Sequence, residues 1–256
     1  MRFATAMALL IVVLIATSMS GCFGTPHKIT ATVAPPTPTP TEEPAPTVTP
    51  KPTPAAVIPT VAQTDDKTTI TGSRNGLATG VHLGQGVFVV SWTGSGTQLS
   101  LSLIDPNSDS LSDFTRGKMS GSTLLIVDQQ KYYAGDFQLT AASDDAWSVT
   151  ITRPDSSSAS SLPVTFGGES GDTVVSAPFS ASKGDIKIAY SFSHTSTGAG
   201  YVNIYDVLTG DSFYIRPITS NSQVGQSNAE VLAKGVYIAQ ATIPPGASYG
   251  EITISQ

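Results

Sequence analysis

The chain has 256 residues, a formal net charge of −6 and only 12% charged residues. That balance argues against nucleic acid as a partner, since such binding rests on Lys and Arg neutralising phosphates, and against a peripheral grip on anionic headgroups. The single cysteine, Cys22, excludes an internal disulfide framework and a Cys-based metal site, and nothing in the chain calls for a cofactor.

Residues 1–21 have the order of a signal peptide. Arg2 is followed by an apolar run from Phe3 to about Ala16, then the small residues Ser18, Ser20 and Gly21. The run is short for a membrane span, which needs about 20 apolar residues. Met19-Ser20-Gly21-Cys22 resembles the lipobox of bacterial and archaeal lipoproteins, with Met19 where that family prefers Leu. The resemblance implies cleavage before Cys22, a lipid on its thiol and an exported chain anchored to the membrane, facing away from the cytoplasm. An uncleaved signal anchor would tether the chain on the same side.

Residues 22–64 read as a disordered stalk. Eleven of the eighteen prolines fall between Pro26 and Pro59, interleaved with Thr, Ala and Val. Proline fixes φ and lacks an N–H, so helix and central strand are both excluded. An extended, polyproline-like stretch of about 35 residues reaches at most roughly 100 Å. Its Thr-rich composition suits O-glycosylation. Similar Thr/Pro stalks follow the lipobox in many methanogen surface lipoproteins, so the resemblance leans archaeal, with a bacterial source still open.

Beyond the stalk the pattern changes to period two. Leu99, Leu101 and Leu103 alternate with serines, Phe137 and Leu139 with polar residues, and Trp147, Val149 and Ile151 with Ser and Thr. Such alternation places each apolar set on one strand face and predicts antiparallel sheets with one solvated face. No run carries a helical period. A Ser-rich stretch at 155–161 reads as a linker. It divides an all-β region into two small antiparallel β-sandwiches, 65–154 and 162–256.

The halves overlay at an offset of about 100 residues. Gly86–Trp92 matches Gly184–Tyr190, Leu99–Asp105 matches Gly200–Asp206, Gly135–Leu139 matches Gly235–Ala239, and Val149–Ile151 matches Ile252–Ile254. The order and spacing predict a duplication. The unit resembles the small jelly-roll accessory domains of secreted prokaryotic proteins, including pre-peptidase-type and carbohydrate-binding modules. That resemblance rests on pattern, so no functional residue carries over from it.

Few residues suggest chemistry. Gly246-Ala247-Ser248-Tyr249-Gly250 has the letters of a serine-hydrolase elbow, but the six residues after it read as a strand where that mechanism needs a helix. Asp105, Asn107 and Asp109 place oxygen ligands at alternate positions, as calcium loops do, with Asp113 as a further candidate. An EF-hand would need Gly at Ser110 and Glu at Arg116, so the other reading is a plain turn. His82 and His194 fall in different halves and read as loop histidines. Trp92, Phe137, Trp147, Tyr190 and Phe192 read as core; Tyr132, Tyr133, Tyr201, Tyr205 and Tyr214 read as candidates for exposure. Tyr201, Asn203 and Tyr205 share one strand phase and form a candidate glycan-stacking platform, unless that face is buried between sheets or domains.

These residues point to a non-catalytic surface protein that binds a glycan or an envelope protein. The alternative is a purely structural spacer or accessory subunit of a larger surface complex.

Overall fold

The computed structural model describes residues 58–105, 110–111, 113–128, 132–193, 199–219, 224–247 and 249–256. The leader, Cys22 and most of the stalk lie outside the described residues. The described part is all-β, as the alternation predicts. Its nine N-terminal strands are β1 (Thr60–Gln63), β2 (Lys67–Ser73), β3 (Gly76–Leu83), β4 (Gly86–Gly94), β5 (Leu99–Ile104), β6 (Ser110–Leu111), β7 (Ser120–Val127), β8 (Gly135–Ser143) and β9 (Ala146–Thr152). They form two sheets, ordered β1-β2-β9-β4-β7 and β3-β8-β5-β6. Inward-facing Leu101, Leu103, Phe137, Leu139, Val149 and Ile151 meet between them in one buried core.

A second set follows: β10 (Ser160–Ser161), β11 (Val164–Glu169), β12 (Thr173–Val175), β13 (Phe179–Ala181), β14 (Gly184–Phe192), β15 (Ala199–Asp206), β16 (Ser212–Thr219), β17 (Val224–Val231), β18 (Gly235–Thr242) and β19 (Tyr249–Ser255). Its sheets run β11-β19-β14-β17 and β10-β13-β18-β15-β16, with β12 on β18. Phe179, Ile186, Ile188, Val202, Ile204 and Ile254 fill its core. All pairings are antiparallel except the two-residue β10–β13 pair.

Removing β1, β10 and β12 leaves the same strand order in both sandwiches: β2-β9-β4-β7 against β11-β19-β14-β17, and β3-β8-β5-β6 against β13-β18-β15-β16. Two details repeat as well. Gly86 and Gly184 enter β4 and β14 at φ of 135° and 133°, a conformation that favours glycine. Trp92 lies across from Gly121, and Tyr190 across from Gly225. In both pairs a Cβ on the glycine would overlap the ring of its aromatic partner. An aromatic ring covering a cross-strand glycine replaces the packing that glycine cannot supply. Generic sandwich geometry requires neither detail, so the duplication is built into the fold.

Two boundaries differ from the sequence reading. Strand pairing starts at Thr60, inside the expected stalk, where Thr60–Gln63 pair with Thr68–Thr71. Pro59 is the last proline before the pairing, and each of Thr60–Gln63 carries a backbone N–H to donate. The expected linker is also ordered. Asp155 caps a 3-10 turn at Ser156–Ser158, accepting from Ser157 N at 2.8 Å, and Ser160–Ser161 then pair with β13.

The largest departure concerns the solvated faces. On β4 and β7, Phe88, Val90, Leu125 and Val127 point into the first core, while Val87, Val89, Leu124 and Ile126 point the other way. They meet Val175, Tyr205, Val207, Val236 and Ile238 of the second sandwich in a third apolar cluster. Gln240 reaches across this seam: its Oε1 accepts from Leu124 N at 2.6 Å and Thr123 Oγ1 at 3.1 Å. Lys118 pairs with Asp172 at 3.1 Å at its edge.

Candidate functional site

The seam decides the fate of the expected aromatic platform. Tyr201, Asn203 and Tyr205 do share one face of β15, opposite buried Val202 and Ile204. Only Tyr201 is open to solvent, at 46% exposure. Asn203 is half-buried, and its Oδ1 is shielded without a hydrogen-bond partner. Tyr205 packs into the seam cluster. Burial there pushes its hydroxyl above the usual tyrosine range, partly offset by a hydrogen bond with Asn203. The first sandwich covers the inner end of the platform, so the three residues do not form one open surface. Tyr132 is likewise buried rather than exposed, whereas Tyr133 is exposed; the Tyr214 side chain lies outside the described residues.

The expected oxygen-ligand loop also changes character. Asp105 is 1% exposed, and its Oδ2 accepts from Tyr133 N at 2.7 Å. Its counterpart Asp206 uses Oδ1 in the same way, accepting from Leu208 N and Thr209 N at 2.8 and 3.0 Å. Both carboxylates serve the backbone where β5 and β15 end. Asn107 and Asp109 lie outside the described residues, as do His194 and Ser248. Asp113 accepts from Thr115 Oγ1 at 2.7 Å. Among the described residues no three His, Cys, Asp or Glu side chains gather as a metal site. After Ser248 the chain enters β19, a strand as expected.

A cleft the sequence did not reveal opens at the end of the first sandwich, with a volume of about 400 Å³. Three segments build it. The β1–β2 turn supplies Asp65, Asp66 and Lys67, the end of β3 supplies His82, and the end of β9 supplies Arg153. Leu83, Phe88 and Ile151, all buried core residues, line its base. Strong local bonds hold the walls. Gln63 donates through Nε2 to the His82 carbonyl and accepts from His82 N. The Arg153 guanidinium sits 5.0 Å from the Phe88 ring centre and donates through Nη2 to the Gln85 carbonyl at 3.0 Å. A guanidinium stacked on an aromatic face and bonded to a carbonyl is held in place. His82 Nδ1 lies 3.0 Å from Asp136 Oδ1 at the rim, with both side chains largely exposed.

A shallower cleft of about 570 Å³ lies among Asn75, Gln98, Ser100, Asp113, Ser143 and Asp144. There the Asp144 carboxyl is lowered to about 2, first by the Thr97 hydroxyl at 2.6 Å, then by the Gln98 and Thr97 backbone N–H groups. These bonds fasten the turn between β4 and β5 to the turn between β8 and β9.

No family model matches this chain, and no curated protein does. Solved structures resemble it in outline. One is the M60 catalytic domain with CBM51-1 and CBM51-2 domains from Clostridium perfringens ZmpB, at 6% identity and TM-score 0.25, with 73% of this chain and 34% of that chain covered. The chain thus spans about a third of that protein's length. Another is the tandem CBM51 modules of a family 98 glycoside hydrolase from Streptococcus pneumoniae, at 8% identity and TM-score 0.25, covering 74% and 81%. A third is the CBM22-1–CBM22-2 tandem domain from Paenibacillus barcinonensis Xyn10C, at 10% identity and TM-score 0.21, covering 77% and 90%. Likeness this distant carries no functional argument. The class of the protein is set by its own strands: a tandem antiparallel β-sandwich protein.

Proposed function

We propose that this chain is an exported, lipid-anchored surface protein whose tandem sandwiches bind an extracellular glycan without catalysis. The observation that carries the reading is the end cleft of the first sandwich. It joins an apolar base to a rim of polar side chains, the general make-up of a small-ligand site. The resemblance of Met19–Cys22 to a lipobox supplies the anchor, and the Pro/Thr stalk supplies reach from the membrane. A glycan array probed with the lipid-free Cys22→Ser chain tests the binding; saccharide hits support it, and a blank array defeats it. The same substitution tests the anchor. Mass spectrometry is expected to find lipid on the mature N-terminus of the parent and none on Cys22→Ser, and an unmodified Cys22 in the parent defeats the lipid reading.

A second reading is favoured by the seam. Two sandwiches fused by an apolar contact make a stiff body, which suits a structural spacer or accessory subunit of an envelope complex. Protein partners recovered with the full chain by cross-linking, together with a blank array, would favour it.

A further inference from the structure

The two sandwiches allow each position at one end to be compared with its duplicate. The match of Val149 with Ile252 and Ile151 with Ile254 aligns Arg153 with Gln256. The structure bears this out. Arg153 donates to the carbonyl of Gln85, just before Gly86, and Gln256 donates through Nε2 to the carbonyl of Ser182, just before Lys183 and Gly184. Both side chains therefore tie the last strand to the turn that enters the β4 or β14 strand. Gln256 also accepts from Ser182 N at 3.0 Å, so both ends of its amide are used on that one residue. In the first sandwich a different residue, Gln63, makes a reciprocal pair of the same kind with His82, two positions earlier than the equivalent of Ser182. Arg153, which has no acceptor, makes only the donor half of such a tie. It has five N–H donors, and among the described residues no carboxylate pairs with it.

Its neighbours diverge in the same direction. Pairing of β3 with β8 and of β13 with β18 places His82 opposite Asp136 and Ser180 opposite Val236, which aligns His82 with Ser180. Phe88 aligns with Ile186 through the Gly86–Gly184 match. Where the first copy holds His82, Phe88 and Arg153, the second holds Ser180, Ile186 and Gln256. Packing needs alone were met by the plain set.

We infer that the duplication has divided labour: the end cleft of the first sandwich is a site for a neutral saccharide of one or two units, and the second sandwich supports it. This rests on the glycan-binding reading above and specifies its site and ligand class. The cleft is lined by two full cations, Lys67 and Arg153, and by two carboxylates, Asp65 and Asp66. An anionic ligand would face both carboxylates on a chain already at −6. A sugar hydroxyl donates and accepts at once, so a neutral polyol uses both signs. The base of the cleft is apolar, formed by the edges of Leu83 and Ile151 and by Phe88 under the Arg153 guanidinium. A volume of about 400 Å³ is near the small end of ligand pockets and fits a terminal unit rather than a long chain.

The test uses the Cys22→Ser chain with neutral disaccharides (lactose, maltose, cellobiose, diacetylchitobiose) and anionic ones (digalacturonate, a sulfated heparin disaccharide). Saturation-transfer NMR finds the ligand and calorimetry measures it. Arg153→Gln installs the duplicate's own residue, which in the second sandwich bonds the turn before β14, and an unchanged melting temperature checks that folding is retained. Asp66→Asn removes an exposed carboxylate at no packing cost. A neutral disaccharide is expected to bind, about tenfold or more weakly in either variant, and unchanged in Tyr201→Ala. Preference for the anionic disaccharides overturns the ligand class. Binding lost in Tyr201→Ala but kept in Arg153→Gln and Asp66→Asn overturns the site and leaves glycan binding standing. No binding to any disaccharide, with a blank array, overturns both.

Discussion

Ile238→Asp is the substitution that isolates the seam. Ile238 is fully buried, yet it points away from the core of its own sandwich. Its burial comes from Val87 and Leu124 of the other sandwich and from Val207. Burying such a side chain is worth about 1.5–3 kcal/mol, so the four buried seam residues bring roughly 6–12 kcal/mol of transfer free energy, an upper bound. An unpaired carboxylate at the centre forfeits Ile238's share and adds a desolvation penalty. In a body of this size each kcal/mol moves Tm by about 2–4 °C. The Cys22→Ser chain is therefore expected to melt in one transition, and the Cys22→Ser/Ile238→Asp chain at least about 5 °C lower, in two resolved steps, because both cores remain intact. Calorimetry reads both features. A single transition within about 1 °C of the parent would refute the view that the seam is an energetic bond between the sandwiches.

Three further outcomes follow from named contacts. Gln240→Ala leaves the Leu124 N–H without its acceptor and is expected to cost about 1–3 kcal/mol in urea denaturation, with faster hydrogen exchange at Leu124; unchanged exchange there counts against the bond. Gly121→Val and Gly225→Val each drive a side chain into an aromatic ring, Trp92 and Tyr190 respectively, and each is expected to destabilise by roughly 1–3 kcal/mol; a neutral result at both sites would sink the ring-over-glycine account. Asp144 has a folded pKa of about 2 against an ordinary 3.8, so its bonds to Thr97 and Gln98 stabilise fully above the unfolded value and fade as pH falls through the folded one. Asp144→Asn should thus lower Tm at pH 6 and lose most of that deficit by pH 2; a constant deficit would contradict it.

Strand phase was legible because one period-two face meets the core: Leu99, Leu101 and Leu103 are all buried, as are Trp147, Val149 and Ile151. What covers the opposite face was not. Period two sorts residues onto two faces without saying what meets the second, so Tyr201 and Tyr205 looked alike although only one is open. A signal for the seam was present in Val87-Phe88-Val89-Val90, Leu124-Leu125-Ile126-Val127 and Val236-Tyr237-Ile238-Ala239. Unbroken apolar runs mark strands covered on both faces. The end cleft left a fainter trace. Its walls come from three turns far apart in sequence, and Arg153 stands out only when set against its duplicate Gln256.

The contact between the sandwiches is head-to-tail, because β4 and β7 of one copy meet β15 and β18 of the other rather than their own equivalents. Contacts of that kind need not close, and where the rotation fails to close, repeated copies can add into a filament. The two outer faces of this pair do not repeat the apolar seam. The face that would receive a third copy carries Asp185 and Lys187 where the seam has Val87 and Val89, and the opposite free face carries Asp136 and Gln138 where the seam has Val236 and Ile238. All four are exposed. Each outer position thus presents charge or amide to solvent where the seam presents Val or Ile to its neighbour.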